Sequence, residues 1–179
     1  MIPFQRFLDE QRDVVWRFAV ATVGRQEADD VFQETFLAAM GAYPRLRANS
    51  NHRAWVLTIA HRKALDHFRS RKRRPDLPGD LPEQPHHDPE IGDDPLWEQV
   101  RALPDKQRTA VALRYAADLD YEAIGKATKT SAEAARKNVH EAMKKLRKEE
   151  AAGGGRSRAA GGRPSPSERG AGRPAEVTP

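Results

Sequence analysis

The 179-residue chain has no cysteine, so a disulfide scaffold and thiolate chemistry are excluded. No apolar run approaches the ~20 residues of a membrane span. The opening stretch, MIPFQRFLDEQRD, lacks the basic-then-apolar order of a signal peptide, so the expected setting is cytoplasmic, with no membrane partner. Strand-like alternation of apolar and polar residues is missing, as is any internal repeat. The parts that can fold offer no phosphate-binding glycine loop, no nucleophile–base pair and no clustered metal ligands. His86 and His87 sit side by side in a proline-rich stretch without further ligand candidates at metal spacing. The expectation is a protein that is not an enzyme and carries neither cofactor nor metal. Hydrophobic residues make up 38% of the chain, which is low for one compact domain and suits a chain that lies partly outside any packed core.

Charge is present in quantity, and it is sorted into blocks. Residues 1–44 carry net −3, 45–74 net +9, 75–95 net −7, 96–148 net +5 and 149–179 net +1. Segment 75–95, PDLPGDLPEQPHHDPEIGDDP, holds six prolines. Each proline removes a backbone donor and biases the residue before it away from helix. That segment reads as an extended acidic linker. Residues 151–179 are rich in Gly, Pro, Ser and Arg and nearly free of large apolar side chains, which reads as a disordered tail. Two helical modules remain on either side of the linker.

In the N-terminal module the spacing predicts a first helix over Phe4–Val23, closed by Gly24. A second runs over Glu27–Ala42, with Phe32, Phe36, Ala39 and Met40 as its apolar stripe. Asp30, Gln33, Glu34 and Leu37 fall at i, i+3, i+4 and i+7 and make a second face, acidic and amide groups around one leucine. Such a face is either solvated or a dock for a basic partner. Pro44 and the polar RANSN stretch form a loop before a third helix over His52–Lys72. This helix is apolar at its start, through Trp55, Val56, Leu57, Ile59 and Ala60, and ends in the cluster Arg69, Arg71, Lys72, Arg73, Arg74. Trp55 opens the apolar stripe and reads as core, with a base-stacking platform as the alternative.

The C-terminal module predicts three helices, over Asp105–Ala117, over Tyr121–Thr128 after the N-cap candidate Asp120, and from Thr130–Ser131 onward. Thr130 with Glu133 fits a capping box, with Ser131 as the near alternative cap. In the last helix Ala132, Ala135, Val139, Ala142, Met143 and Leu146 form an inward stripe. Arg136, Lys137, His140, Lys144, Arg147 and Lys148 occupy much of the rest. A short helix, a tight turn and a longer basic helix match a helix-turn-helix, whose second helix fits a major groove about 12 Å wide.

These stretches together resemble the extracytoplasmic-function (ECF) sigma factors, group IV of the sigma-70 family of RNA polymerase subunits. ADDVFQETFLAAM looks like the family's core-binding helix, written D-x-V-Q-x-T-F. HRAWVLTIAHRKALDHFRSRKRR looks like the following helix, with its A-W-L…I-A-x-N…D-x-x-R pattern, and residues 103–148 resemble the family's C-terminal helix-turn-helix. The chain departs from the pattern at His52, at Arg62 where Asn is common, at Lys63, and at Lys129 where the turn usually has Gly. The resemblance implies an all-α fold of two small helical domains. A region 2-like domain spans 1–74 and a region 4-like domain 96–150, joined by the acidic linker 75–95 and followed by the tail 151–179. It implies a factor that directs promoter-specific transcription initiation by binding core RNA polymerase and reading and melting promoter DNA. The rival reading is a helix-turn-helix regulator that never touches polymerase. By resemblance, Asp30, Gln33, Glu34 and Leu37 face the clamp helices of the largest subunit, the second domain meets the flap region, and an anti-sigma factor is a further candidate partner. The minus-ten contacts fall to Asn49, Ser50, Asn51, His52, Arg62, Lys63, His67 and Arg69. The minus-thirty-five contacts fall to Ser131, Arg136, Lys137, His140 and Lys144.

Overall fold

A computed structural model describes residues 2–47, 49–73 and 95–158. The acidic linker, apart from Pro95, therefore lies outside the described residues, as do Ala48, the His86-His87 pair and everything after residue 158. The described residues form seven α-helices and no strand: α1 Phe4–Val23, α2 Arg25–Ala42, α3 His52–Arg73, α4 Pro95–Ala102, α5 Asp105–Val111, α6 Tyr121–Thr128 and α7 Ala132–Arg158. A 3₁₀ turn at Tyr43–Arg45 follows α2, and a π-helical turn at Ala112–Ala116 extends α5. The described residues up to Leu146 make one compact unit, and the end of α7 belongs to a second.

Helices α1, α2 and α3 pack on one another. The link between α1 and α2 is a single residue, Gly24, at φ +90°. Its N–H donates to the carbonyl of Val20 at 3.0 Å, and a Cβ at this φ would be strained. Phe7, Val14, Val15 and Phe18 of α1 are buried against Val31 and Phe36 of α2 and Val56 and Leu57 of α3. Each such side chain contributes roughly 1.5–3 kcal/mol through its removal from water. At one end the rings gather: Phe7 lies 5.0 Å from Tyr43, 5.6 Å from Trp55 and 5.7 Å from His52. The Tyr43 hydroxyl donates to the Ile2 carbonyl at 2.7 Å, so its polar end is satisfied.

The same core continues into the C-terminal module. Leu113 and Ala116 of the π-turn, Leu119, Ile124 and Ala127 join it, and α3 packs on α6 while α1 packs on the π-turn and α4. Arg108 places its guanidinium 4.1 Å from the ring centre of Phe68 on α3. A smaller cluster of Val100, Leu103, Val111, Ala142 and Leu146 ties α4 and α5 to α7.

Several expectations are corrected. Met40 is 54% exposed instead of lying in the buried stripe. That stripe is Ala28, Val31, Thr35, Phe36 and Ala39, and Met40 lies about 100° further around the helix. Thr35 enters the core because its hydroxyl donates to the Val31 carbonyl at 2.6 Å. Helix α5 gives way to a π-turn before reaching Ala117, whose N–H donates five residues back to Ala112 at 3.1 Å. α4 has no counterpart in the sequence reading; proline at its first position is compatible with a helix start. α7 runs to Arg158, eight residues into the stretch expected as a disordered tail. No proline occurs between Pro104 and Pro164, so every residue of the extension keeps its N–H for the helix, although Gly153, Gly154 and Gly155 are weak helix formers.

Among the described residues, His61 is the one histidine buried in this core, at 8% exposure, and its Nδ1 finds no hydrogen-bond partner there. Burial, with the neighbouring Arg62 charge, lowers its pKa from 6.5 to about 4. The unfolded chain therefore takes up a proton that the folded chain refuses. This contribution to stability is intact above pH ~6.5 and declines as pH falls towards ~4, by about 1.4 kcal/mol per pH unit. Urea unfolding at about pH 7 and about pH 5 will show a loss of roughly 2 kcal/mol that His61→Leu removes. Equal pH dependence in the two proteins would refute the assignment.

Candidate nucleic-acid interface

Three surfaces carry the residues singled out from the sequence. On α2, Asp30, Gln33, Glu34 and Leu37 are all exposed along one face. Leu37 is 65% exposed and Met40, which the sequence spacing assigns to the core, extends the same strip. The result is an apolar ridge flanked by acidic and amide groups at the molecular surface.

The expected minus-ten set divides by position around α3 and its loop. Asn51 is the cap of α3: its side-chain oxygen accepts from the Ala54 N–H at 3.0 Å and its carbonyl from Trp55 at 3.0 Å. His52 packs edge-on against Phe7. Trp55, half-buried against Phe7 and Tyr43, belongs to the core, which fits the first of its two readings. Lys63 turns towards α2 and pairs with Glu34 at 3.2 Å. His67 also turns that way, 2.7 Å from the Glu27 carboxylate, which Arg71 also meets. Asn49, Arg62 and Arg69 face outward, Arg69 beside Asp66 at 3.4 Å, and Ser50 is half-buried. Exposed ion pairs of the Lys63–Glu34 kind are worth about 0–1 kcal/mol, so a phosphate or a partner protein can compete for either member.

The third surface is built on the α6–turn–α7 unit. Asp120 caps α6 by accepting from the Ala123 N–H at 2.7 Å. α6 ends at Lys129, which is left-handed at φ 56°, and the Thr130 N–H closes the turn onto the Gly125 carbonyl at 2.8 Å. Gly125 is required by contact: a Cβ there would lie 2.8 Å from the Thr130 oxygen. Ser131 caps α7, its Oγ accepting from the Ala134 N–H at 3.0 Å. The Thr130 hydroxyl instead meets Thr128 at 2.9 Å, so the alternative cap is the one used. Ala135, Val139, Ala142 and Leu146 are buried on one side of α7. Arg136, Lys137, His140 and Lys144 are exposed together away from that side, as a groove-reading helix requires.

The sigma-70 region 2 family matches residues 7–74, and the sigma-70 region 4 family matches residues 93–146. ECF RNA polymerase sigma factor SigD of Mycobacterium tuberculosis is 34% identical over 162 residues, 82% of this chain and 76% of SigD. The chain belongs to the ECF sigma factor family. SigC of the same species is 42% identical over 71 residues, which is 40% of this chain and spans only 38% of SigC. The fold matches that of the sigma factor RpoE, crystallised with the anti-sigma factor NepR from Bartonella quintana. The TM-score is 0.68 at 20% identity, with 81% of this chain and 94% of RpoE covered.

In this sigma factor the turn between α6 and α7 carries a strained lysine. A non-glycine residue in the left-handed region costs roughly 1–2 kcal/mol. Lys129→Gly will therefore raise the urea midpoint, by an amount corresponding to about 0.5–1 kcal/mol once the greater entropy of glycine in the unfolded chain is subtracted. Gly125→Ala will lower it, by about 1–3 kcal/mol from overpacking against the turn backbone. An unchanged midpoint in Gly125→Ala would mean that the turn yields to the added methyl.

Proposed function

We propose that this sigma factor directs promoter-specific transcription initiation, with the labour divided among three surfaces. The α2 face of Asp30, Gln33, Glu34, Leu37 and Met40 docks on the clamp helices of core RNA polymerase. The Asn49–Ser50 loop and the outer stripe of α3, Arg62 and Arg69, meet the minus-ten element. Ser131, Arg136, Lys137, His140 and Lys144 of the α7 unit meet the minus-thirty-five element, while the module around them reaches the flap region. Residues 1–74 and 96–150 act as the two working domains. The α2 ridge carries this reading: a DNA-binding regulator that works without polymerase has no use for two exposed apolar side chains ringed by acidic groups. An anti-sigma factor is a further candidate partner, on the precedent of RpoE with NepR.

The compact unit is too small to reach both promoter elements at once. A globule of about 120 residues, the number described in this unit, has a radius of gyration near 14 Å, so a diameter near 35 Å. Elements centred about 25 base pairs apart are separated by about 85 Å of B-form DNA at 3.4 Å per pair. The surfaces where α3 meets α6 and α1 meets the π-turn must therefore part when the protein works.

Two measurements test these statements. Asp30→Arg/Leu37→Arg will reduce co-purification with core polymerase at least ten-fold while leaving the helical circular dichroism unchanged; wild-type binding would sink the docking assignment. Arg53 lies 3.9 Å from Asp118 across the joint between the modules. Cross-linking Arg53→Cys/Asp118→Cys with a bifunctional thiol reagent that carries its own disulfide will block promoter opening, followed by permanganate reactivity of unpaired thymines, and reduction will restore it. Full activity of the cross-linked protein would show that the modules work without separating.

A further inference from the structure

Tyr121 is the first residue of α6 and lies half-buried beneath the recognition face. Two guanidinium carbons stand over its ring, those of Arg114 and of Arg136, each 5.2 Å from the centroid and within the ~6 Å range of a cation–π contact. Arg114 is anchored from behind, donating to the Leu119 carbonyl at 2.9 Å. The ring is held by the helix that Asp120 caps. Arg136 differs in being exposed on the outer face of α7. Among the described residues no carboxylate lies within ion-pair distance of it, the nearest helical pair being Lys137 with Glu141 at 3.9 Å. What fixes it in place is the tyrosine ring.

We propose that Tyr121 is a positioning residue that orients Arg136 to read a guanine in the minus-thirty-five element. The proposal rests on the reading of α7 as the helix that enters the groove. A guanidinium carries five N–H donors, so a contact with one ring leaves others available. Those donors are what two-point recognition of guanine O6 and N7 needs. A free arginine side chain has large rotamer freedom that must be lost on binding a base edge. A side chain already held against a ring loses less, and its contribution becomes one of discrimination rather than general attraction. Lys137, His140 and Lys144 have no comparable support and serve phosphates, which need charge but not orientation.

The test uses the full-length protein assembled with core polymerase and a promoter library randomised across the minus-thirty-five element. Wild type will prefer guanine at one position, by roughly ten-fold. Arg136→Ala will abolish that preference. Tyr121→Leu will weaken it about three-fold at the same position alone, with the salt dependence of binding unchanged, since no phosphate contact is lost. Tyr121→Phe keeps the ring and will keep the preference. The Tyr121→Leu/Arg136→Ala pair will match Arg136→Ala, as expected for one coupled unit. If Tyr121→Leu is not folded by its thermal melt, Tyr121→Gln carries the same expectation. A uniform loss of affinity across all sequences, or an effect of Tyr121→Leu that adds to Arg136→Ala, overturns the proposal and leaves Tyr121 as packing only. A guanine preference that survives Arg136→Ala overturns the reading of α7 as well.

Discussion

Helices α1, α2 and α6 all pack on α3, and the constraint is geometric. A 22-residue helix has only so much circumference. α1 and α2 pack on it within the N-terminal module, and α6 packs on it from the C-terminal one. Val56, Leu57, Ala60 and Ala64 are buried in those contacts. What remains exposed on it is a narrow outer stripe containing Arg62 and Arg69. The helix has the most concentrated positive charge in the chain, yet several of its cations are engaged by the protein itself. Glu27 meets both His67 and Arg71, and Glu34 meets Lys63. The acidic α2 and the basic α3 thus hold each other in register before either meets a partner.

That pairing explains which parts of the site are legible in the sequence. Periodicity alone locates α1 and α6 residue for residue, because Gly24 at one boundary and Asp120 at the other are punctuation with a local mechanism. The exposed basic face of α7 is equally legible, since the buried residues opposite it, Ala135, Val139, Ala142 and Leu146, keep a clean helical spacing. The eight residues assigned to the minus-ten element are not separable in this way. A linear pattern cannot tell that Lys63 and His67 point at a neighbouring helix while Arg62 points at water; that depends on how α2 is rotated against α3. Asn51 and His52 show the same limit. Each is polar and sits next to a loop, and the structure uses one as a cap and the other as an aromatic partner of Phe7.

Other misses have different causes. Met40 follows Ala39 so closely that its apolar character suggests burial, although one residue is 100° of rotation on a helix. The exposed methionine then becomes informative, because it lengthens the Leu37 ridge on the face already assigned to a partner. The π-turn at Ala112–Ala116 leaves no signature in composition, since an alanine-rich stretch is as compatible with an α-helix. Its effect is structural: the extra residue re-aims the chain so that Leu113 and Ala116 face the shared core while Tyr115 stays 56% exposed.

The composition of the joint between the modules bears on how they can part. The C-terminal module adds mostly small residues to the shared core: Ala112, Ala116, Ala117, Ala127 and Ala135. Small residues bring helix axes close, but each removes little apolar area from water, and the hydrophobic contribution scales with that area. The large buried side chains that the C-terminal module adds are few: Leu113, Leu119 and Ile124. Within the N-terminal module, by contrast, Phe7, Phe18, Phe36 and Val31 interlock through whole aromatic and branched side chains. The polar contacts across the joint point the same way. Arg53 and Asp118 form an exposed pair at 3.9 Å, worth at most about 1 kcal/mol. Arg108 over Phe68 adds a cation–π contact of up to about 2 kcal/mol, since its guanidinium is largely buried. A joint of this make-up is held firmly enough to define one compact unit, while each module keeps the packing that shapes its own face.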